Sequence, residues 1–426
     1  MEQSTIAILI ITAAVISFAL EKIPLAMTAI LAALAMGIFG IIKPGDVYAN
    51  FGSLAAVMVA SMMVVGNAAF ENGLAQAVGK SLRKMGLGKN QRTLIFLLVT
   101  LSIILSAFLS NSAVVAMFIP LLASIVVKSQ GKVENKYVLM AVGMGASAGG
   151  FCTLAGSTPQ MVAQGILMET DGLVPMKFFD LALAGIPLCI IMIIYFATAG
   201  YALEKKVLTF QDVIPGMEGE TDIKEKQYSK GKQRITGVVL IGCIAGFIVG
   251  IWDLAVVALL GASILITTGC ISFKKAFESI DWNTIVILAA SQGFAKGLDS
   301  SGAGALIAEK ILDLFGGPEA SAFVVMAALF IVTALLTNFM SNVAVASMII
   351  PIGLSLALSL GVRPETFVIG LTLACQLATA TPIGSPCVTQ TLVGGYRYMD
   401  YVKIGLPVTL LQLAALIVLV PVIYGF

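Results

Sequence analysis

Long apolar segments follow one another along the chain and exclude an ordinary water-soluble fold. Of the 426 residues, 59% are hydrophobic and 11% are charged, whereas soluble domains carry about 25% charged residues. Most of these segments approach the ~20 residues that a helix needs to cross a bilayer. Backbone polar groups find no water inside a bilayer, so spanning segments must satisfy them internally, as helices do. The sequence therefore predicts an all-α polytopic membrane protein with the lipid bilayer as its surroundings.

Three polar patterns interrupt the apolar segments, and each occurs once in either half of the chain. The first pattern is Ser106-Ala-Phe-Leu-Ser110-Asn111-Ser112, which recurs as Thr337-Asn-Phe-Met-Ser341-Asn342-Val343. The second is Thr153-x-x-Gly156-Ser157 and Thr381-x-x-Gly384-Ser385, and the third is Asp180-x4-Gly185-x-Pro187 and Asp400-x4-Gly405-x-Pro407. Their common order predicts two repeats, 1–202 and 237–426, because secondary transporters are commonly built from internal repeats. The charged segment 203–236 between them is predicted to be a solvated linker on the cytoplasmic side.

The Ser-Asn pairs lie between apolar arms that have almost no polar loop at their junction. Two full spans would place each pair at a membrane surface, whereas a re-entrant hairpin would bury it at depth, where protein can satisfy its polar groups. Re-entrant hairpins over 93–127 and 319–360 are therefore preferred. Five spans then remain in each half, and this odd number inverts one repeat relative to the other. Counting each hairpin as two spans gives seven per half and the same inversion.

The basic residues support this topology. With the hairpins re-entrant, 20 of the 25 lysines and arginines fall on one side of the membrane. Such a bias assigns that side to the cytoplasm. Location in the cell (inner) membrane, with both termini outside the cytoplasm, is the resulting prediction.

Glycine and proline predict broken helices at mid-membrane in 149–159 and 379–386. Proline cannot continue a helix, and a hydroxyl residue before proline is a typical N-cap, so Thr158-Pro159 and Ser385-Pro386 are predicted to start new helices. Helix N-termini carry partial positive charge and free N–H groups that suit an anion. Unwound carbonyls and the oxygens of serine, threonine and asparagine suit a hard cation such as Na⁺. Serine, threonine and glycine also serve as packing residues in membrane helices, and asparagine can hold helices together; the repeated context favours a binding role for Asn111 and Asn342.

The paired Ser-Asn motifs, the two broken helices and Ile280-Asp281-Trp282 resemble the divalent anion/sodium symporter family of the ion-transporter superfamily. The resemblance covers nearly the whole chain and implies two or more Na⁺ sites beside a small anionic substrate. It implies a homodimer and an elevator motion, in which a transport part slides against a scaffold. The implied scaffold comprises 1–92 and 237–318, and the implied transport part comprises the two hairpins with 137–202 and 366–425.

The resemblance also assigns residues to the implied sites. The implied sodium ligands are Ser106, Ser110, Asn111 and Gly156 in one repeat and Thr337, Ser341, Asn342 and Gly384 in the other. The implied substrate contacts are Asn111, Ser112, Ser157, Asn342, Ser385 and Pro386, with Val343 at a position where the family carries a hydroxyl. Because Val343 removes a donor to a carboxylate, a smaller anion or one with an apolar part is expected.

The residue types that the sequence lacks exclude several classes of function. The sequence contains no histidine, which excludes imidazole metal sites and histidine proton relays. It shows no nucleophile–base pair and no phosphate loop, so an enzyme or a nucleic-acid-binding protein is not expected. Na⁺-coupled symport of a small, carboxylate-type anion is the preferred function. The alternatives are Na⁺-independent anion exchange and a channel-like or Na⁺/H⁺ antiport activity, and antiport would need a carboxylate that titrates in the predicted core, where the sequence shows none.

Overall fold

The structure is a computed structural model that describes residues 2–20, 22–74, 90–170, 172–215, 228–317 and 320–426. Within these ranges every regular element is a helix, which confirms the all-α prediction. Lys80, Arg83, Lys84, Lys89, Lys224 and Lys226, which contribute to the predicted charge bias, lie outside the described residues.

The first half contains eight principal helices among its described residues. They are α1 (Gln3–Leu20), α2 (Leu25–Ile38), α3 (Leu54–Glu71), α4 (Gln91–Ser106), α5 (Asn111–Lys128), α6 (Leu139–Gly149), α7 (Thr158–Glu169) and α8 (Ala182–Tyr195). Helix α8 continues through a π-helical turn, Phe196–Gly200, into Tyr201–Val207. Side-chain oxygens of Ser53 and Asn90 accept backbone N–H bonds at the starts of α3 and α4, as expected of helix caps.

The second half repeats this series in the described part of the chain. Its helices are α9 (Lys230–Val249), α10 (Leu254–Thr267), α11 (Trp282–Ser300), α12 (Ala303–Leu314), α13 (Ala322–Thr337), α14 (Asn342–Ser359), α15 (Pro364–Ala374) and α16 (Tyr398–Tyr424). A short helix, Pro386–Thr389, stands where the first half has α7. The hairpin arms α13 and α14 correspond to α4 and α5, and a proline lies inside both second arms, at Pro120 and Pro351.

Six of the described helices are long and apolar enough to cross a membrane. They cover Gln3–Leu20, Asp46–Glu71, Ala182–Val207, Lys230–Val249, Asn342–Ser359 and Tyr398–Tyr424. Six shorter apolar helices of 10–17 residues accompany them. Several of the shorter helices form the hairpin arms and the broken segments, so their length follows from the interruptions that the glycine, proline and Ser-Asn patterns predict. The inverted orientation of the two halves stays a prediction.

Helix α11 lies at the boundary between two groups of helices. One of its faces packs on α2, where Gly297 contacts Met36 and Gly293 contacts Ala33. Another face packs on α7 and α14. Helices α3 and α10 form a second close pair, and α3 also packs on α11. The division into scaffold and transport part stays a prediction.

Described residues of the segment that was predicted as a solvated linker pack against the helices. The Asp212 carboxylate accepts hydrogen bonds from the backbone N–H groups of Asn135 and Lys136, both at 2.8 Å, and the Phe210 ring contacts Tyr396 edge-on. Burial lowers the pKa of Lys136, but the hydrogen bond and the charge of Glu134 outweigh it, so this pKa is raised. Phe210 and Asp212 thus contact the residues that directly precede helices Leu139–Gly149 and Tyr398–Tyr424, and we call these contacts the Asp212 clasp.

Two further boundaries differ from the sequence prediction. Helix α9 begins at Lys230, within the segment assigned to the linker, because a helix start tolerates polar residues that remain in water. Helix α12 has no counterpart among the predicted spans. It is amphipathic: Ala303, Gly304, Ala308 and Leu312 are buried, while Lys310 and Asp313 form an exposed ion pair. Because α12 is short and carries charged residues, a search for membrane spans does not find it.

Candidate functional site

The tips of the two hairpins share one hydrogen-bonding arrangement. The last residue of the first arm donates its hydroxyl to the side-chain carbonyl of the asparagine that opens the second arm. Thr337 Oγ1 lies 2.7 Å from Asn342 Oδ1, and Ser106 makes the equivalent bond to Asn111. Ser106 and Thr337 are both fully buried. The Thr337 hydroxyl also lies within hydrogen-bond distance of the carbonyl of Cys375. These contacts hold each asparagine side chain against the first arm of its own hairpin.

Each tip is tied to the broken helix of its own repeat. The hydroxyl of Thr153 donates to the carbonyl of Ala107, and the hydroxyl of Thr381 donates to the carbonyl of Asn338. These pairs occupy equivalent positions in the two repeats. The threonines that identified the repeated pattern therefore join the unwound segment to the hairpin, which holds both beside the same site.

Glycine permits the closest of these contacts in the second repeat. A Cβ atom on Gly384 would lie 2.3 Å from the carbonyl oxygen of Thr337, so no other residue fits without displacing the backbone. In the first repeat Gly156 packs against Gly150 instead, and its N–H donates to the carbonyl of Thr153. The backbone contacts around the implied sodium ligands are therefore similar but not identical in the two repeats.

Helix starts converge on the region between the tips. Helices α5 and α14 begin at Asn111 and Asn342. Helix α7 begins at Thr158, so Ser157 occupies the N-cap position that was predicted for Thr158. Ser385 takes the N-cap position before Pro386 as predicted, and the four α-helical residues that follow continue as a 3₁₀ helix, Gln390–Gly394. The broken segment of each repeat therefore presents a helix start, and the helix behind it is longer and entirely α-helical in the first repeat.

A cavity of about 690 Å³ lies where these starts meet. It brings together most of the residues that the sequence singles out. Those lining it are Ser110, Asn111, Ser112, Gly156, Ser157, Ser341, Asn342, Val343, Ser385 and Pro386. Ser106, Thr337 and Gly384 do not line the cavity and lie behind its wall. The ligand roles of all these residues remain predictions.

Several lining residues come from α3 and from the start of α11 and were not predicted as site residues. They are Met62, Met63 and Asn67 on α3, and Asp281, Asn283 and Thr284 at the start of α11. The Asp281 carboxylate accepts bonds from the Asn283 N–H at 3.1 Å and the Thr284 hydroxyl at 2.5 Å. Asp281 is the only acidic residue in the described lining, which contains no lysine or arginine. The available signals were the Ile280-Asp281-Trp282 motif, which carries part of the resemblance, and the polar residues at the start of α11.

A buried carboxyl group also escaped the sequence prediction. Glu204 was assigned to the polar linker, but it lies in the extension of α8 and is fully buried. Neither of its carboxyl oxygens has a hydrogen-bond partner among the described residues. Tyr195 and Tyr396 are the titratable groups that interact with it. The expectation of a core without an acidic side chain is therefore wrong at this position, although Glu204 does not line the cavity.

Comparison with known proteins identifies the class. A model of the citrate transporter family matches residues 15–361. The sodium-dependent dicarboxylate transporter SdcS of Staphylococcus saprophyticus is 23% identical over 95% of this chain and 82% of that protein. An uncharacterised transporter of Methanocaldococcus jannaschii is 24% identical over 79% of this chain and 75% of its own length. The uncharacterised transporter YfbS of Escherichia coli is 33% identical over 37% of this chain, but the match spans 26% of that protein.

Solved structures give the same fold at low identity. The YdaH transporter of Alcanivorax borkumensis superposes with a TM-score of 0.63 at 15% identity, covering 90% of this chain and 88% of that one. MtrF of Neisseria gonorrhoeae, described with a class of antimetabolite efflux pumps, gives 0.60 at 15% identity, covering 99% and 95%. The chain belongs to the citrate transporter family, among the ion transporters that include the divalent anion/sodium symporters. It is a membrane transporter and not an enzyme.

Proposed function

We propose that the protein is a secondary active transporter that couples the uptake of a small anion, carboxylate-type by preference, to Na⁺. One observation carries the proposal: both Ser-Asn tips meet at a cavity whose described lining holds no cationic side chain. An anion in such a place needs compensating charge, because burying it unpaired is very costly. Helix starts supply part of that charge, and bound cations would supply the remainder. The name of the relative SdcS, a sodium-dependent dicarboxylate transporter, agrees with this proposal.

The proposed sodium sites lie one at each tip. Ser106, Ser110, Asn111 and Gly156 would serve the first, and Thr337, Ser341, Asn342 and Gly384 the second. Their oxygens are neutral hydroxyls, amides and carbonyls, which Na⁺ accepts and which leave the cation's charge available to the anion. The anion would lie between the tips, in contact with Asn111, Ser112, Ser157, Asn342, Val343, Ser385 and Pro386.

The proposed transport mechanism is an elevator motion within a homodimer in the cell (inner) membrane. Ser279, Asp281 and Pro24 line one end of the cavity, close in sequence to Lys22, Lys274 and Lys275, which the charge bias assigns to the cytoplasm. If both termini lie outside as proposed, the cavity would open toward the cytoplasm in this conformation. Outward opening would then require the hairpins and the broken helices to move together past α3 and α11.

Reconstituted vesicles test the coupling. A thermal-shift screen of carboxylates, sulfate and sulfonates, with and without Na⁺, selects the anion first, because a bound ligand raises the apparent stability. Uptake of that anion should then require an inward Na⁺ gradient and should fail when choline replaces Na⁺. Uptake that is equal in choline would refute Na⁺ coupling. Counterflow in choline would instead support the first alternative, Na⁺-independent exchange.

Glu204 supports a second candidate function, which is proton-linked transport. A buried carboxyl group in a transporter is a proton-binding candidate, so proton-linked transport, including Na⁺/H⁺ antiport, deserves a direct test. A proton gradient without Na⁺ should drive no uptake if Na⁺ is the only coupling ion. Proton-driven uptake that is lost in Glu204→Gln would favour the alternative. A channel-like activity would show conductance without saturation by the anion.

A further inference from the structure

Gln292 lies on α11, on the face of that helix that packs on α7 and α14. This face is strongly polar at Ser291 and Gln292. Ser291, beside it, donates its hydroxyl to Ser347 of α14 at 2.8 Å. The side chain of Gln292 reaches α7, where a Cβ atom on Gly165 would lie 2.0 Å from its Nε2. Gly165 thus provides the space that the glutamine amide occupies.

The amide of Gln292 has no partner in this conformation. The residue is 1% exposed, and neither Oε1 nor Nε2 has a hydrogen-bond partner among the described residues. A buried donor and acceptor without partners destabilise the conformation that contains them. A leucine or methionine would fill the same space without this cost. The polar group therefore calls for an explanation outside the contacts of this conformation.

The helices on either side of the boundary run in register. Thr284 of α11 lines the cavity together with Thr158, the first residue of α7. Gln292 lies eight residues beyond Thr284 and Gly165 lies seven beyond Thr158. At 1.5 Å per residue these separations are about 12 and 10 Å. The two helices therefore pass each other nearly parallel, with the cavity at one level and the Gln292–Gly165 contact about two turns further along.

Sliding α7 along α11 would change which residue of α11 lies beside the start of α7. We propose that Gln292 is a specificity-determining residue of the outward-open conformation, in which its amide faces the anion. This inference rests on the elevator motion proposed above. An outward displacement of about 10 Å would carry the start of α7 from the level of Thr284 to the level of Gln292. The Nε2–H group would there donate to a carboxylate-type oxygen of the substrate, and the Ser291–Ser347 bond would break.

Thr284 is the matched residue for the present conformation. It is buried at the edge of the cavity and lies on the same helix. The inference therefore predicts that the two positions act on opposite sides of the membrane. Gln292 affects the anion that enters from outside, and Thr284 affects the anion that binds from the cytoplasm.

Cysteine pairs test the register. Gly165→Cys with Gln292→Cys should cross-link in this conformation, and Thr158→Cys with Gln292→Cys should cross-link only after the shift. Each single variant and the parent chain, which has six cysteines, control for background reaction. Loss of the Thr158–Gln292 cross-link under all conditions, in a variant that still transports, would overturn the elevator proposal and the inference with it.

Sided transport kinetics test the role of Gln292 alone. Succinate, citrate and sulfate serve as probes in vesicles of known orientation. Gln292→Met, of similar size and without hydrogen-bonding groups, should raise the external half-saturating concentration about tenfold or more and leave the cytoplasmic value within twofold, and Gln292→Asn should recover part of the loss. Thr284→Val should show the opposite sidedness. If the Thr158–Gln292 cross-link forms but Gln292→Met changes neither value for any transported probe, the inference fails while the elevator proposal stands.

Discussion

Replacing Val343 with threonine isolates one hydrogen-bonding group in the cavity. Val343 is the second residue of α14 and lines the cavity. Threonine matches valine in shape, so the packing of the branched side chain is retained. The carbonyl of Val343 accepts a bond from Ser347 at 2.8 Å, and the substitution leaves that carbonyl in place. The change therefore adds a hydroxyl to the wall and little else.

The magnitude follows from the one bond that this hydroxyl can make. A hydrogen bond to a charged group contributes about 1.5–3 kcal/mol, which corresponds to roughly 10- to 150-fold in a dissociation constant. The gain should appear for an anion with a second carboxylate near Val343 and not for one with a methyl group there. Succinate and butyrate differ in this way. We expect the preference for succinate over butyrate to rise by about tenfold or more.

Thermal shift or calorimetry in saturating Na⁺ measures the binding of succinate and of butyrate, and the ratio of the two affinities gives this preference. Val343→Ala is the matched control, because it shortens the apolar wall without adding a donor, and it should not favour succinate. Ser112→Val makes the reciprocal change at the equivalent position of the first repeat and should weaken succinate. An unchanged ranking of the two anions in Val343→Thr would refute a substrate contact at this position.

Three further predictions concern stability and Na⁺ binding. Thr153→Val or Thr381→Val should each lower the melting temperature and weaken Na⁺-dependent stabilisation, since a buried carbonyl is left unpaired at a cost of about 1–3 kcal/mol; serine at either position should restore most of both. Glu204→Gln should melt at least as high as the parent, because no hydrogen bond is lost, while Glu204→Lys should fail to yield a monodisperse protein by gel filtration. Na⁺ should raise the melting temperature relative to choline in the parent, and Asn111→Ala or Asn342→Ala should each reduce that shift.

The repeated patterns of the sequence predict much of the site because they mark backbone breaks. Proline, glycine and the Ser-Asn pairs act locally, so the hairpin tips and the interruptions near 150 and 384 could be located from residue type and spacing alone. The fully helical fold follows in the same way from apolar length. The hydroxyl bonds of Thr153 and Thr381 confirm that the repeated threonines have equivalent positions, which the constant order of the motifs already indicated.

Other features depend on tertiary contacts that no local pattern reports. Asn67 and Gln292 lie in apolar helices where a single polar residue could equally face another helix, and only packing places one at the cavity and the other at the boundary. Glu204 follows the last apolar residues of α8, so composition assigns it to the linker. Glu204 is buried instead, near Tyr195 and Tyr396, and such tertiary packing has no signature in residue spacing.

The two halves of the candidate site differ in a way that bears on the orientation of the anion. In the first repeat, α7 and α5 both begin at the cavity, and Ser112 offers a hydroxyl. In the second repeat, α14 begins at the cavity, but the four α-helical residues after Ser385 are followed only by a 3₁₀ helix that ends at Gly394, and Val343 offers no hydroxyl. This shorter run contributes less to the partial positive charge at its start than α7 does, because that charge builds up from aligned peptide dipoles. Positive potential and donors therefore concentrate on the first-repeat side, and the charged end of an anion is expected there. An apolar part would then lie against Val343, so a monocarboxylate or an asymmetric anion fits the described residues better than a symmetric dicarboxylate.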